Sequence, residues 1–275
     1  MSRPICITCG TQFEATQPPE VCPICVDERQ FVGWGGQEWI TLERLRNEHR
    51  IAFRDQGDGL LGIVAEPRFA IGQRALLVPD FGPGAGGRNL LWDCISLIDD
   101  ATVRLVDALG GLAAIAISHP HYYTTMVEWS RAFGGVPIYI HALEREWVMR
   151  PDPAIVFWEG ETLDLEGGLT LIRLGGHFPG AQVLHRAAGA GGRGALLAGD
   201  ILQVVPDRRW VSFMYSYPNY VPLSAASVRR MVDALEPCAF ETVHGAFMDA
   251  IVTGDGKAAV RRSAERYLRA LEVER

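Results

Sequence analysis

The sequence predicts an α/β fold: two stacked sheets covered by helices on their outer faces, a four-layer αββα sandwich, with a small cysteine-bearing module in front of it. Three observations carry this. A chain of 275 residues that is 48% hydrophobic can bury the core of one large domain and still leave residues for a small one. Short apolar runs and helical patterns alternate in both halves, which suits two sheets with helices outside them. Four of the six cysteines fall within the first 25 residues.

Those four form two knuckles, Cys6-x-x-Cys9 and Cys22-x-x-Cys25. Paired knuckles bring four thiolates to the corners of a tetrahedron, the geometry of a structural zinc site, and a stretch this short needs a metal because it cannot bury enough apolar area alone. A pair of disulfides is the other reading of the same residues. We take residues 1–33 as a zinc-ribbon-like module and residues 34–275 as the main domain, linker helix and C-terminal helix included. Within residues 1–30, Arg3 and Arg29 face Glu14, Glu20, Asp27 and Glu28. An acidic ribbon suits a protein contact or docking onto the main domain better than nucleic acid. The isolated Cys94 and Cys238 read as small buried hydrophobes.

Further along, Glu38 to Leu45 has helical spacing and reads as a connecting helix. Strands follow at Ile51 to Phe53, Leu60 to Ala65, Arg74 to Val78 and Leu90 to Asp93, punctuated by the glycine-rich stretch Gly82 to Gly87. A helix from about Asp100 to Leu109 leads into the apolar strand Leu112 to Ile117. Later helices are expected at Thr125 to Phe133, Ala142 to Met149, Ser224 to Leu235 and Lys257 to Leu271. Later strands are expected at Val136 to Ile140, Thr170 to Leu174, Ala181 to His185, Ala195 to Ala198 and Phe240 to Val243. Gly189 to Gly194 matches G-x-G-x-x-G, but a strand follows it, so it reads as a hairpin turn.

The chemistry gathers where strands end. Ser118-His119-Pro120-His121 follows one strand, Gly175-Gly176-His177 a second, Gly199-Asp200 a third and His244-Gly245 a fourth. Imidazole nitrogen and carboxylate oxygen are the donors that zinc or ferrous iron prefers, and a strand end holds each in place without further ordering of the chain. One such histidine would mean little, since a lone buried His is usually a hydrogen-bonded core residue. Four strand ends delivering a ligand-type residue point to a metal site.

This arrangement resembles the metallo-β-lactamase superfamily over roughly residues 51–251. Its hallmark is a His-x-His-x-Asp-His loop followed by a later His, an Asp and a final His. His119 and His121 match the opening pair, His177 the middle His, Asp200 the bridging Asp and His244 the final His. The resemblance implies an αββα sandwich with the site in the cleft between the sheets. It also implies a first metal held by His119, His121, His177 and Asp200. Where the pattern has Asp-His, this chain has Tyr123-Thr124, so the second site loses two ligands and a mononuclear centre is expected.

The reading that follows is a metal-dependent hydrolase of a small ester, thioester, lactone or phosphodiester, with one catalytic divalent ion, zinc favoured over iron. Such an ion lowers the pKa of water toward about 7 and makes hydroxide available at neutral pH. Asp200 would orient or deprotonate the water, His244 protonate a leaving group or bind the substrate's anionic end, and Tyr123 donate to a developing oxyanion. A mononuclear iron dioxygenase resembling persulfide dioxygenases, using His119, His177 and Asp200, is the second reading, and a non-catalytic metal-containing binding protein the third. The net charge of -7 argues against a nucleic-acid or anionic-membrane partner. With no apolar signal core at the start and no apolar stretch long enough to span a bilayer, a soluble cytoplasmic protein is expected.

Overall fold

A computed structural model describes residues 2–81 and 87–272, so residues 82–86 of the glycine-rich stretch lie outside the described residues. The chain begins with β1 (Pro4–Cys6), which pairs antiparallel with β2 (Trp39–Thr41) across the cysteine module. The expected connecting helix starts later than its pattern suggested, as Leu42–Glu48, because Thr41 caps it by accepting the Arg44 N–H. Trp39–Thr41 goes to the module's sheet instead, which therefore closes beyond residue 33.

The first large sheet has seven strands in sequential order: β3 (Arg50–Asp55), β4 (Leu61–Glu66), β5 (Ala75–Val78), β6 (Asn89–Trp92), β7 (Leu112–Ala116), β8 (Ile138–His141) and β9 (Ile155–Trp158). Pairing is antiparallel from β3 to β6 and parallel from β6 to β9. The second sheet takes β10 (Thr162–Leu165), β11 (Leu169–Arg173), β12 (Gln182–Arg186) and β13 (Ala195–Gly199). Two small hairpins follow, β14 (Gln203–Val204) with β15 (Val211–Ser212) and β16 (Met214–Ser216) with β17 (Val221–Pro222). Then β18 (Thr242–Gly245) and β19 (Ile251–Val252) complete the second sheet on the β13 side.

Side-chain alternation makes the layers. Neighbours on one strand point to opposite faces. Leu76, Leu90, Ala114 and Ala116 meet Leu171, Leu184 and Leu197 between the sheets. Their neighbours Leu77, Leu91 and Ile115 turn outward against Val106, Met126 and Trp129, which lie on or beside the helices Asp100–Ala108 and Met126–Ala132. On the second sheet Ile172, Val183, Leu196 and Val243 pack under Val228, Met231, Ala259 and Val260 of the helices Ala225–Leu235 and Gly256–Glu272. This is the αββα sandwich.

Three local expectations need correction. The helix at Ala142 to Met149 is a shorter 3-10 segment, Ala142–Trp147, whose start is capped by the His141 ring. Strands β9 and β10 were not foreseen, because Pro151 and Pro153 make the stretch before them read as loop. Neither were the small hairpins between Asp200 and the next helix, whose strands are only two or three residues long. No helix among the described residues is long and apolar enough to cross a membrane.

Candidate metal centre

The four module cysteines are fully buried, and their Sγ atoms lie within 4.8 Å of one another. Cys6 and Cys25 are 3.5 Å apart at sulfur, Cys9 and Cys22 3.7 Å. Those separations exceed a disulfide bond of about 2.05 Å, and all six cysteines are free, which removes the disulfide alternative. The knuckles are built by backbone turns: Gly10 N–H donates to Cys6 C=O and Val26 N–H to Cys22 C=O. Gln37 ties them together, donating to Cys6 Sγ and accepting the Cys22 N–H. Hydrogen bonds from the neighbouring thiols hold Cys6 far below the usual thiol range, while the crowding of sulfurs pushes Cys9 and Cys25 up. Four buried sulfurs this close, at two Cys-x-x-Cys knuckles, form a donor set that suits a divalent metal ion, on whose binding the remaining thiols would give up their protons.

The second cluster stands at the ends of β7, β11 and β13. His119, His121 and His177 are buried, and one nitrogen of each falls within 4.8 Å of the others. Partners on the outer side orient the rings. The His177 Nδ1–H donates to the Tyr215 carbonyl at 2.6 Å, which frees Nε2 to face His121 Nδ1 at 3.1 Å. His119 Nδ1 bonds Ser118 Oγ at 2.9 Å, which leaves its Nε2 3.3 Å from Asp200 Oδ1. Asp93 in turn accepts the Ser118 N–H at 2.7 Å. Gly199 permits this approach, since it has φ of +56° and a Cβ there would lie 2.9 Å from Ser118 Oγ.

Burial holds all three imidazoles below the usual histidine range, so they are neutral at pH 7, the state a metal ligand requires. Burial also raises the Asp200 carboxyl. His119 Nε2, His121 Nε2 and Asp200 Oδ1 are buried without a hydrogen-bond partner. The His119 Nε2 orphan beside Asp200 Oδ1, and the His121 Nδ1 and His177 Nε2 atoms that face each other, form a donor set that a divalent cation would satisfy. Phe178 packs against all three rings at 5.0 to 5.7 Å and carries the Arg29 guanidinium 3.9 Å above its own ring.

His121, His177 and Asp200 open into a cavity of about 370 Å³. Tyr217, which follows β16, lines it too. Two expected participants stand elsewhere. Tyr123 does not reach the cavity: its buried side chain sits with Thr11, Gln12 and Thr124 against the cysteine module, because the turn Pro120–Tyr122 points the next residue outward. Tyr122 takes the inner position, its ring 4.5 Å from His119 and its hydroxyl facing Asp200. Sequence reasoning passed over it because the family pattern places a ligand at the next position.

His244 is buried on β18, has no partner at either ring nitrogen, and is not among the residues lining the cavity. Burial, with Arg74 nearby, takes its pKa down to about 3. Arg74 is itself buried and donates to the carbonyl of Gly245. His141 bonds the Gly160 carbonyl in a different depression, and His185 bonds the Ala239 carbonyl as a structural residue. Cys94 is buried, which pushes its thiol up to about 12, and Cys238 is half-buried.

Comparison with known proteins places these features. No protein-family profile matches the chain. The uncharacterized protein YmaE of Bacillus subtilis is 47% identical over 273 residues, 98% of this chain and 97% of that protein. Among solved structures the chain is similar to the metallo-β-lactamase DIM-1, with a TM-score of 0.58 at 13% identity over 81% of this chain and 100% of that one. The mono-zinc form of the metallo-β-lactamase FIM-1 from Pseudomonas aeruginosa gives 0.54 at 15%, over 78% and 95%. TTHA1623 in a di-iron-bound form gives 0.52 at 21%, over 74% and 97%. The chain therefore belongs to one family with YmaE, and that family has the metallo-β-lactamase fold.

Proposed function

We propose that this protein is a metal-dependent hydrolase with a single divalent ion, zinc in preference to iron, held in the cleft by His119, His121, His177 and Asp200. The observation that carries the reading is three buried, neutral imidazoles with ligand nitrogens within 4.8 Å of one another, two of them (His119 and His177) held from outside by Ser118 and the Tyr215 carbonyl, beside the Asp200 carboxylate at the wall of a cavity. When bound, the ion would act as a Lewis acid and make hydroxide available near neutral pH. Asp200, as one of the residues that would hold the ion, would orient the water beside it, and Tyr122 is the hydroxyl next to Asp200. The substrate's ester, thioester, lactone or phosphodiester bond breaks as water delivers hydroxide to the carbonyl carbon or phosphorus and a proton to the leaving group.

Two features favour one ion over two. Tyr123 and Thr124, which replace the second-site ligands, face the cysteine module rather than the cleft, and a buried guanidinium lies near His244. Grouping of His121 with the other two histidines favours hydrolysis over the two-His-one-carboxylate iron chemistry. Zinc also suits the four thiolates of the module. The test is a panel of ester, thioester, lactone, phosphodiester and persulfide substrates, run on anaerobically purified protein of measured metal content. Hydrolysis of at least one class with zinc present, lost on chelation, is expected. Oxygen-dependent persulfide turnover by an iron-loaded protein would overturn the reading.

A further inference from the structure

The cavity is closed by parts of the chain that belong to no metal-binding strand end. Thr8, Gln30 and Phe31 come from the cysteine module, and Arg68, Ala70 and Ile71 from the turn after β4. The module is fastened there by its backbone: Asn219 Nδ2 donates to the carbonyls of Glu28 and Gln30 at 3.0 and 2.9 Å, and Ser216 Oγ to that of Arg29 at 3.1 Å. Phe31 is thereby held at the cavity with about half its surface exposed.

Arg68 is the one permanent cation in this lining. No carboxylate among the described residues pairs with it. The side chain is exposed, and two contacts set its position. The stem lies across Gly72, where a Cβ would come within 2.3 to 2.6 Å of the Arg68 side chain, and the guanidinium donates to the Ile71 carbonyl. One donor used this way leaves others for a ligand.

On these grounds, and resting on the hydrolase reading above, we infer that the substrate is a small organic anion with an apolar group. Its anionic group is bound by Arg68, and its apolar group lies against Phe31 and Phe247. The cysteine module is then a wall of the substrate site, and Phe31 and Arg68 determine specificity. A cavity of about 370 Å³ suits a small molecule and has no room for a folded partner. The apolar walls at Phe31, Phe247, Ile71 and Pro218 offer contact area, and the single guanidinium offers charge selection.

The test uses benzyl hydrogen succinate, a monoanionic ester, and its uncharged counterpart benzyl methyl succinate on the zinc-loaded full chain, with affinity read by calorimetry and hydrolysis read separately. Wild type should bind the anion more tightly than the neutral ester. Arg68→Ala should cut affinity for the anion roughly tenfold, as expected for a lost charge-assisted hydrogen bond, with little change for the neutral ester. Gly72→Ala should do the same by displacing the Arg68 stem. Phe31→Ala should weaken both probes, and Trp34→Ala, an exposed residue of the same segment, neither. Equal discrimination in wild type and Arg68→Ala would place the anion on the metal and overturn the inference, as would unchanged binding in Phe31→Ala with its zinc content intact. If binding follows the expected pattern but neither ester is cleaved by wild type, the ligand class stands and the ester-hydrolase reading is what fails.

Discussion

At the residue scale the three histidines that gather at the cleft were legible, with Asp200 beside them, and the contacts that support them were not. His119, His121, His177 and Asp200 follow apolar runs that any reading of period and length finds. The Tyr215 carbonyl that orients His177 and the stacking of Arg29 on Phe178 join residues far apart in sequence, and no spacing encodes them. His244 shows how the pattern misleads. A neutral imidazole with pKa of about 3, outside the cavity lining, is poorly suited to donate a proton at pH 7. His244→Ala should keep the cleft ion and hold turnover within about tenfold of wild type. A loss of roughly a hundredfold or more, the size of a missing general acid, would return it to the mechanism. Glu144 gives a pH test. Burial pushes its carboxyl up to about 7 while it accepts the Gly180 N–H. A group whose pKa rises on folding contributes stability that is complete below the unfolded value and is lost as pH climbs through the folded one. Glu144→Gln keeps the acceptor without the ionisation, so it should gain roughly 1–3 kcal/mol relative to wild type between pH 5 and pH 8. Thermal unfolding at the two pH values checks this, and an equal effect at both would contradict it.

At the element scale the long, periodic pieces were readable: the helices Ala225–Leu235 and Gly256–Glu272 and strands β7, β11 and β13 lie close to where their patterns put them. Elements that exist only through tertiary pairing were not readable. Trp39–Thr41 has helical spacing but is claimed by β1, and Met214–Ser216 is a strand because it returns on Val221–Pro222 beside the module. The module's fastening has a consequence for the cleft. Glu28 bonds the Tyr215 hydroxyl, and the Tyr215 carbonyl orients His177. Cys22→Ser should lose the module's ion and also weaken the cleft's grip on its own ion by the 10- to 100-fold typical of lost outer-sphere support, about. Competition with a chelator of known affinity measures this. An unchanged cleft affinity would show the module to be independent.

On the scale of the whole molecule, the four layers follow from alternation along the strands, and the centre follows from the layers. Strand ends converge at one rim of the sandwich, and the cysteine module closes that rim from outside. The departure from the family pattern at Tyr123-Thr124 was legible in the sequence, while the inner position of Tyr122 required the turn that only the folded chain has. The central claim is one ion in this cleft and one in the module. Its most direct measurement is elemental analysis of anaerobically purified protein, wild type beside His121→Ala. The account predicts two ions per wild-type chain and one per variant chain, the survivor held by Cys6, Cys9, Cys22 and Cys25. Three firmly held ions in wild type, or two in His121→Ala, would contradict it.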